Sequence, residues 1–190
     1  MISIKAAIRK EYKRKRAALS EDEKERRSGA IFTELLAWLG NWSSSKSVHL
    51  YFPIKRQGEV NTFPMLHWFW ENDWRVFGSI IDEETGTMVS VRIPPNTHFF
   101  EDSWGIPIPQ GVERASGEKF DLILVPLLAY DLEGWRIGFG KGYYDQFLSS
   151  LDFNPVKVGL SFFEPEEKLE HEPHDIPLDF CITPEKVIRF

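Results

Sequence analysis

The run DLILVP, residues 121–126, constrains the fold more than any other stretch of this 190-residue chain. Leu122 to Val125 are all apolar, so both faces of an extended segment must be covered, as in a central strand of a parallel sheet. Helix and strand patterns alternate around it. A helix is predicted from Ser3 to about Ala18, with Ile4, Ile8 and Tyr12 on one face. The capping-box pair Ser20 and Glu23 opens a second, which buries Ile31, Leu35, Leu36 and Leu39 and ends at Gly40. After a loop at Ser43–Ser45, SVHLYFP reads as the first core strand, stopped by Pro53. Asn61 or Thr62 caps a helix from about Pro64 to Glu71, Trp74 to Ile81 is a strand, and MVSVRI is another. Prolines and glycines between Pro94 and Gly117 predict a long irregular connection, and loops of that length usually serve a site. Val156–Phe162, Phe180–Thr183 and Val187–Phe190 supply further strands. The expected class is α/β: one domain over 1–190, with three layers, α/β/α, around a mostly parallel central sheet.

Charge narrows the function. Lys and Arg total 23 against 29 Asp and Glu, a net charge of −6 with His neutral, so the surface as a whole repels nucleic acid and anionic membrane. Cations nevertheless crowd the N-terminal helix at Lys5, Arg9, Lys10, Lys13, Arg14, Lys15 and Arg16, a local patch suited to phosphate. The lone Cys181 cannot close an intrachain disulfide, and MISIKAAIRKEY lacks the continuous apolar core of a secretory signal. LILVPLLAY is about half the length needed to cross a bilayer. A reducing, cytoplasmic setting and a monomer are expected, without nucleic-acid or membrane partners. The 7 Trp and 15 Phe leave two readings open, an aromatic core or a pocket for a flat ligand.

The segment DLEGWRIGFGKGYYD, residues 131–145, sits between the buried strand and a helix whose stripe is Tyr144, Phe147, Leu148 and Leu151. Glycines 138, 140 and 142 let backbone N–H groups approach an anion, and the helix start adds unpaired donors and positive dipole. Arg136 and Lys141 add full charge, and Asp145 is a hard carboxylate able to hold Mg²⁺ against phosphate oxygens. The spacing fits neither the dinucleotide fingerprint nor the Walker loop. A plain strand-to-helix turn stays open as the alternative.

RIGFGKGYYD, preceded by DLEG, resembles the signature of the 5-formyltetrahydrofolate cyclo-ligase family. KAAIR, RAALS, GEVNT, SWGIPIP, DLILVP and HDIPLDFCIT recur in family order along nearly the whole chain. The resemblance implies an architecture similar to sugar-phosphate isomerases and CoA transferases. It also implies an ATP-dependent cyclisation of 5-formyltetrahydrofolate to 5,10-methenyltetrahydrofolate, releasing ADP and phosphate with Mg²⁺ as cofactor. Lys5 and Arg9 then match nucleotide contacts, with Arg16 a further candidate. Arg136, Gly138, Phe139, Gly140, Lys141, Gly142, Tyr143 and Tyr144 form the main ATP segment, within which 139–143 also borders the folate. Ile54, Glu59 and Trp104 match folate contacts, Asp145 and Asp175 hold Mg²⁺, and Arg136, Lys141 and Tyr143 carry catalysis. By itself Asp175 reads equally as a loop residue capping a turn. His49, His67, His98, His171 and His174 show no metal-ligand spacing. A nucleotide- or folate-binding protein without turnover, a nucleic-acid module built on the basic helix, and isomerase or CoA chemistry on a similar architecture are the alternatives.

Overall fold

The computed structural model describes residues 3–42, 46–103 and 105–190; the loop expected at Ser43–Ser45 and the candidate folate contact Trp104 lie outside the described residues. In chain order the elements are α1 (Ile4–Ala17), α2 (Glu21–Leu39), β1 (Ser47–His49), a short 3₁₀ turn (Lys55–Gln57), α3 (Phe63–Glu71), β2 (Arg75–Ile81), β3 (Met88–Arg92), β4 (Phe99–Glu101) and β5 (Pro107–Pro109). Then follow β6 (Leu122–Pro126), β7 (Ala129–Tyr130), β8 (Arg136–Ile137), α4 (Tyr143–Ser150), β9 (Val156–Leu160), β10 (Phe180–Ile182) and β11 (Val187–Arg189).

One sheet of 7 strands runs in the order β11-β10-β9-β6-β1-β2-β3. From β10 to β2 all neighbours are parallel, and β11 and β3 close the two edges antiparallel. The apolar run is the central strand: Leu122, Ile123, Leu124 and Val125 are each 0% exposed. Side chains alternate across a strand, so Leu122 and Leu124 join Ile31 and Leu35 of α2 and Met65, Leu66 and Phe69 of α3. Ile123 and Val125 turn the other way, to Phe147 and Leu148 of α4. Three layers result, with α2 and α3 on one side of the sheet and α4 on the other. His49 on β1 belongs to this second core, sandwiched between Phe120 and Phe147 at 4.9 and 5.1 Å between ring centroids. Burial holds it neutral, with a pKa near 3.

α1 joins neither core face. Its N-cap Ser3 accepts from the Ala6 amide at 3.2 Å, and its Tyr12 packs with Leu128, Ala129 and Ile137 of the hairpin that follows β6. The basic helix is thereby laid beside the exit of the central strand.

Two expectations are corrected. The strand read over SVHLYFP pairs only as Ser47–His49, because the Tyr51 carbonyl accepts Thr62 Oγ1 at 2.6 Å and Pro53 has no N–H to give a ladder. Leu50 still donates to the Phe77 carbonyl of β2 at 2.9 Å, and Tyr51 to Pro53 remain buried but leave the sheet. Thr62 holds the N-cap position of α3 with its side chain so engaged, and the neighbouring Asn61 Oδ1 accepts the Phe63 amide at 3.2 Å instead. The connection from Pro94 to Gly117 is also not wholly irregular, since β4 and β5 pair within it as an antiparallel hairpin.

Candidate active site

In the strand order, β1 leads on to β2 on one side while β6 leads on to β9 on the other, so the winding reverses between β1 and β6. Open parallel sheets bind ligands in the crevice outside the carboxyl ends of their strands at such a reversal. A cavity of about 1800 Å³ lies there, lined by residues leaving β1 (Tyr51, Ile54), ending β2 (Ser79, Ile81) and ending β6 (Pro126). Apart from Arg16, every site residue expected from the sequence and lying within the described residues lines this one cavity.

The glycine segment forms one wall. Gly140 (φ +101°) and Gly142 (φ +70°) hold left-handed backbone, whereas Gly138 does not. Gly138 contributes its carbonyl instead, which accepts Arg9 Nε at 3.0 Å and ties α1 to the loop. Among the described residues, the amides of 139–142 donate to no protein carbonyl or side chain, so they remain available to an anion. Gly142 caps α4, whose first turn carries Asp145. A Cβ on Gly140 would stand 3.2 Å from Arg9 Nε in a conformation L residues rarely adopt. Gly140→Ala is therefore expected to cost about 1–2 kcal/mol of stability, read as a lowered denaturant midpoint, and to displace Arg9.

The DLEG turn is built to hold this wall still. Asp131 Oδ1 accepts the amides of Glu133 (3.0 Å) and Trp135 (2.9 Å), and Oδ2 accepts the Leu169 amide at 2.9 Å. Gly134 (φ +86°) has no room for a Cβ against the Leu178 carbonyl.

The predicted cations and predicted metal carboxylates lie paired with each other. Lys5 Nζ is 2.6 Å from Asp175 Oδ2. Arg136 Nη2 is 2.9 Å from Asp145 Oδ1, and its Nη1 donates to the Ile176 carbonyl. Asp145 Oδ1 also accepts the Ile176 amide at 3.2 Å, which brings the Asp175–Ile176 segment against α4. Lys5 and Arg9 thus both reach the cavity, each already held by a protein acceptor. Lys141 is exposed and forms no ion pair among the described residues. His174, set aside on spacing, groups with Glu172 and Asp175, their ligand atoms all within 4.8 Å. Only folding of the 172–175 turn, not helical or strand periodicity, brings these together.

Glu59 and Ile54 form the other wall. Glu59 Oε2 accepts the Ile54 amide at 2.7 Å, across the 3₁₀ turn and Gly58 in left-handed conformation (φ +57°). Burial pushes its carboxyl up to about 7, against the opposing pull of that amide and of Arg16. Tyr144 lies within the fields of both Glu59 and Arg136, and burial keeps its phenol protonated. One expectation fails here: Arg16 does not reach the cavity, being 3% exposed with Nη2 donating to the Leu127 carbonyl. Its place on the buried face, one turn after Tyr12, turns it inward. The β2 end of the cavity, with Ser79, Asp82 and Arg114, was missed, since a strand and turn give no local sign of facing a ligand.

The sequence model of the 5-formyltetrahydrofolate cyclo-ligase family matches residues 1–184. The chain belongs to that family. It is accordingly an enzyme of the ligase class. The 5-formyltetrahydrofolate cyclo-ligase of Mycoplasma pneumoniae is 30% identical over 186 residues, covering 95% of this chain and 99% of the relative. That of Mus musculus is 28% identical, covering 93% and 92%. The NMR structure of Aquifex aeolicus 5,10-methenyltetrahydrofolate synthetase superposes with a TM-score of 0.80 at 32% identity, covering 98% of this chain and 93% of that one. The family therefore shares the α/β architecture with its mostly parallel sheet. No helix among the described residues is long and apolar enough to cross a membrane.

Proposed function

We propose that this family member, acting as a single monomeric domain over 1–190 in the cytoplasm, converts 5-formyltetrahydrofolate to 5,10-methenyltetrahydrofolate at the expense of ATP. The observation that carries the reading is that one crevice joins two unlike walls. One offers unpaired amides, a helix N-terminus and the cations Arg9, Arg136 and Lys141; the other is the carboxylate of Glu59 beside apolar Ile54. The first suits a polyphosphate, the second a flat heterocycle with N–H donors.

Both walls are needed by the chemistry. A formamide oxygen is a poor leaving group, so it attacks the γ-phosphorus, forming an O–P bond as the bond to ADP breaks. N10 then attacks the formyl carbon, closing the ring, and the C–O bond breaks with inorganic phosphate as the leaving group and loss of the N10 proton. Negative charge moves onto the ADP oxygens in the first step and onto phosphate in the second. Arg136, Lys141 and the amides of 139–142 are placed to stabilise it, with the Tyr143 hydroxyl a further donor. Gly138 to Tyr144 hold the nucleotide with Lys5 and Arg9, while Ile54, Glu59 and Trp104 hold the folate beside Phe139. The single crevice brings the two substrates into reach of one another, which is the larger part of the catalysis of a two-substrate reaction.

Mg²⁺ would neutralise the polyphosphate, and the residues present fit it. Asp145 and Asp175 supply hard oxygens, and among the described residues the bonds they accept fall on Oδ1 of Asp145 and Oδ2 of Asp175, leaving one oxygen on each. Asp145→Asn keeps the acceptor for Arg136 but loses the charge, so the Mg²⁺ concentration for half-maximal rate is expected to rise by roughly tenfold. An unchanged Mg²⁺ titration would remove Asp145 from the site.

The direct test is optical. Protein given 5-formyltetrahydrofolate, Mg²⁺ and ATP develops the near-ultraviolet absorbance of the methenyl product, and omitting ATP abolishes it. Binding of both ligands without that absorbance would instead identify a protein without turnover.

A further inference from the structure

Arg16 is a cation with no evident surface purpose. It is 3% exposed, in the same inward row of α1 as buried Tyr12, whereas Lys10, Lys13 and Arg14 of the same helix are exposed and Lys5 and Arg9 reach the cavity. Arginine is almost never buried so deeply without a carboxylate in contact. Here Nη2 donates to the Leu127 carbonyl, while Nε and Nη1 are buried with no hydrogen-bond partner among the described residues. No carboxylate among the described residues lies in salt-bridge range; the acid whose field it feels most is Glu59. The Arg16 side chain packs under Gly58, its Cβ 3.7 Å from where a Cβ of Gly58 would stand. Its Cζ also lies 5.7 Å from the centre of the Phe139 ring, in the glycine segment of the opposite wall. One buried charge therefore lies beneath both walls of the crevice and lines neither.

We infer that Arg16 is a positioning residue of the reaction: from beneath the crevice it favours the ionised carboxylate of Glu59, the form able to accept from the ligand, without touching either substrate. The inference rests on the folate reading of Glu59. The groups facing that carboxylate are Arg16 from α1, Tyr51 after β1 and Tyr144 from α4, with Lys24 of α2 beyond Gly58. Burial holds both phenols protonated, and Lys24 is already paired with Glu21 at 2.8 Å. Arg16 is left as the positive charge that opposes the burial of Glu59.

The test is the Kd of 5-formyltetrahydrofolate, without ATP, for the full-length wild type, R16M and R16K between pH 5.5 and 9. Wild-type affinity should rise with pH through a midpoint near 7, where Glu59 ionises. In R16M the midpoint should move up by about one pH unit; at pH 7 the ionised fraction falls from about one-half to about one in eleven, so affinity drops roughly fivefold and returns by pH 9. R16K should keep the wild-type midpoint, and the Kd of a non-hydrolysable ATP analogue with Mg²⁺ should change less than twofold in both. R16Q carries the same expectation if R16M does not fold. An unmoved midpoint, a loss equal at every pH, or a parallel loss of nucleotide affinity overturns the inference. A wild type that fails to bind the folate would strike the reading of Glu59 instead.

Discussion

Lys141→Ala is expected to lower turnover by about 100-fold or more while leaving the melting temperature within a degree or two of wild type, as for other deletions of a transition-state charge partner. The reason lies in its surroundings. Lys141 is exposed, between left-handed Gly140 and Gly142, and has no ion-pair partner among the described residues, so its removal deletes charge at the nucleotide without opening the core. Arg136 is a less clean target. Its side chain is 4% exposed and is held by Asp145 and the Ile176 carbonyl. Arg136→Ala strands a partly buried carboxylate and is expected to cost about 3–5 kcal/mol of stability in addition to activity. Steady-state kinetics in ATP alongside a thermal melt distinguishes the two; wild-type kcat and KM in Lys141→Ala would remove the phosphate wall from the reading.

Glu59→Gln should cut affinity for 5-formyltetrahydrofolate by tenfold or more, about the loss of a charged hydrogen-bond acceptor. Its stability should move the opposite way as pH rises. The carboxyl goes from an ordinary 4.5 to about 7 on folding. Below pH 4.5 both folded and unfolded chains hold the proton and nothing is lost. Between 4.5 and 7 the unfolded chain ionises first, so wild-type stability falls as pH rises through that window. Gln has no proton to lose. The stability of Glu59→Gln relative to wild type should therefore grow between pH 4.5 and 8, by at most about 3 kcal/mol at roughly 1.4 kcal/mol for each pH unit that separates folded from unfolded ionisation. Denaturant melts at the two pH values measure it, and a difference that stays constant with pH would show that Glu59 is ionised normally in the fold.

Both predictions draw on features of different legibility. The central strand was readable because residues 122–125 demand cover on both faces, a property of the residues themselves, and α4 because its stripe recurs at helical spacing. The glycine segment was legible for the same local reason: glycines at 140 and 142 occupy the left-handed backbone that they alone adopt without strain. By contrast β1 stops early because Thr62, 11 residues on, takes the Tyr51 carbonyl. The pairing of β4 with β5 likewise depends on how a proline-rich segment folds back, which no periodicity announces.

Composition and spacing by themselves determined the helices and most strands of the main sheet, that the chain is α/β, and that a glycine-rich turn lies between a buried strand and a helix. These are local matters, settled by dihedral preference and by which faces must avoid water. Only the tertiary structure decided the sheet order, the meeting of Lys5 with Asp175 across 170 residues, and the turning of Arg16 inward near Glu59 while Lys10, Lys13 and Arg14 face out. A charge far along the chain acts on a site only through distance and burial, and both are set when the layers close.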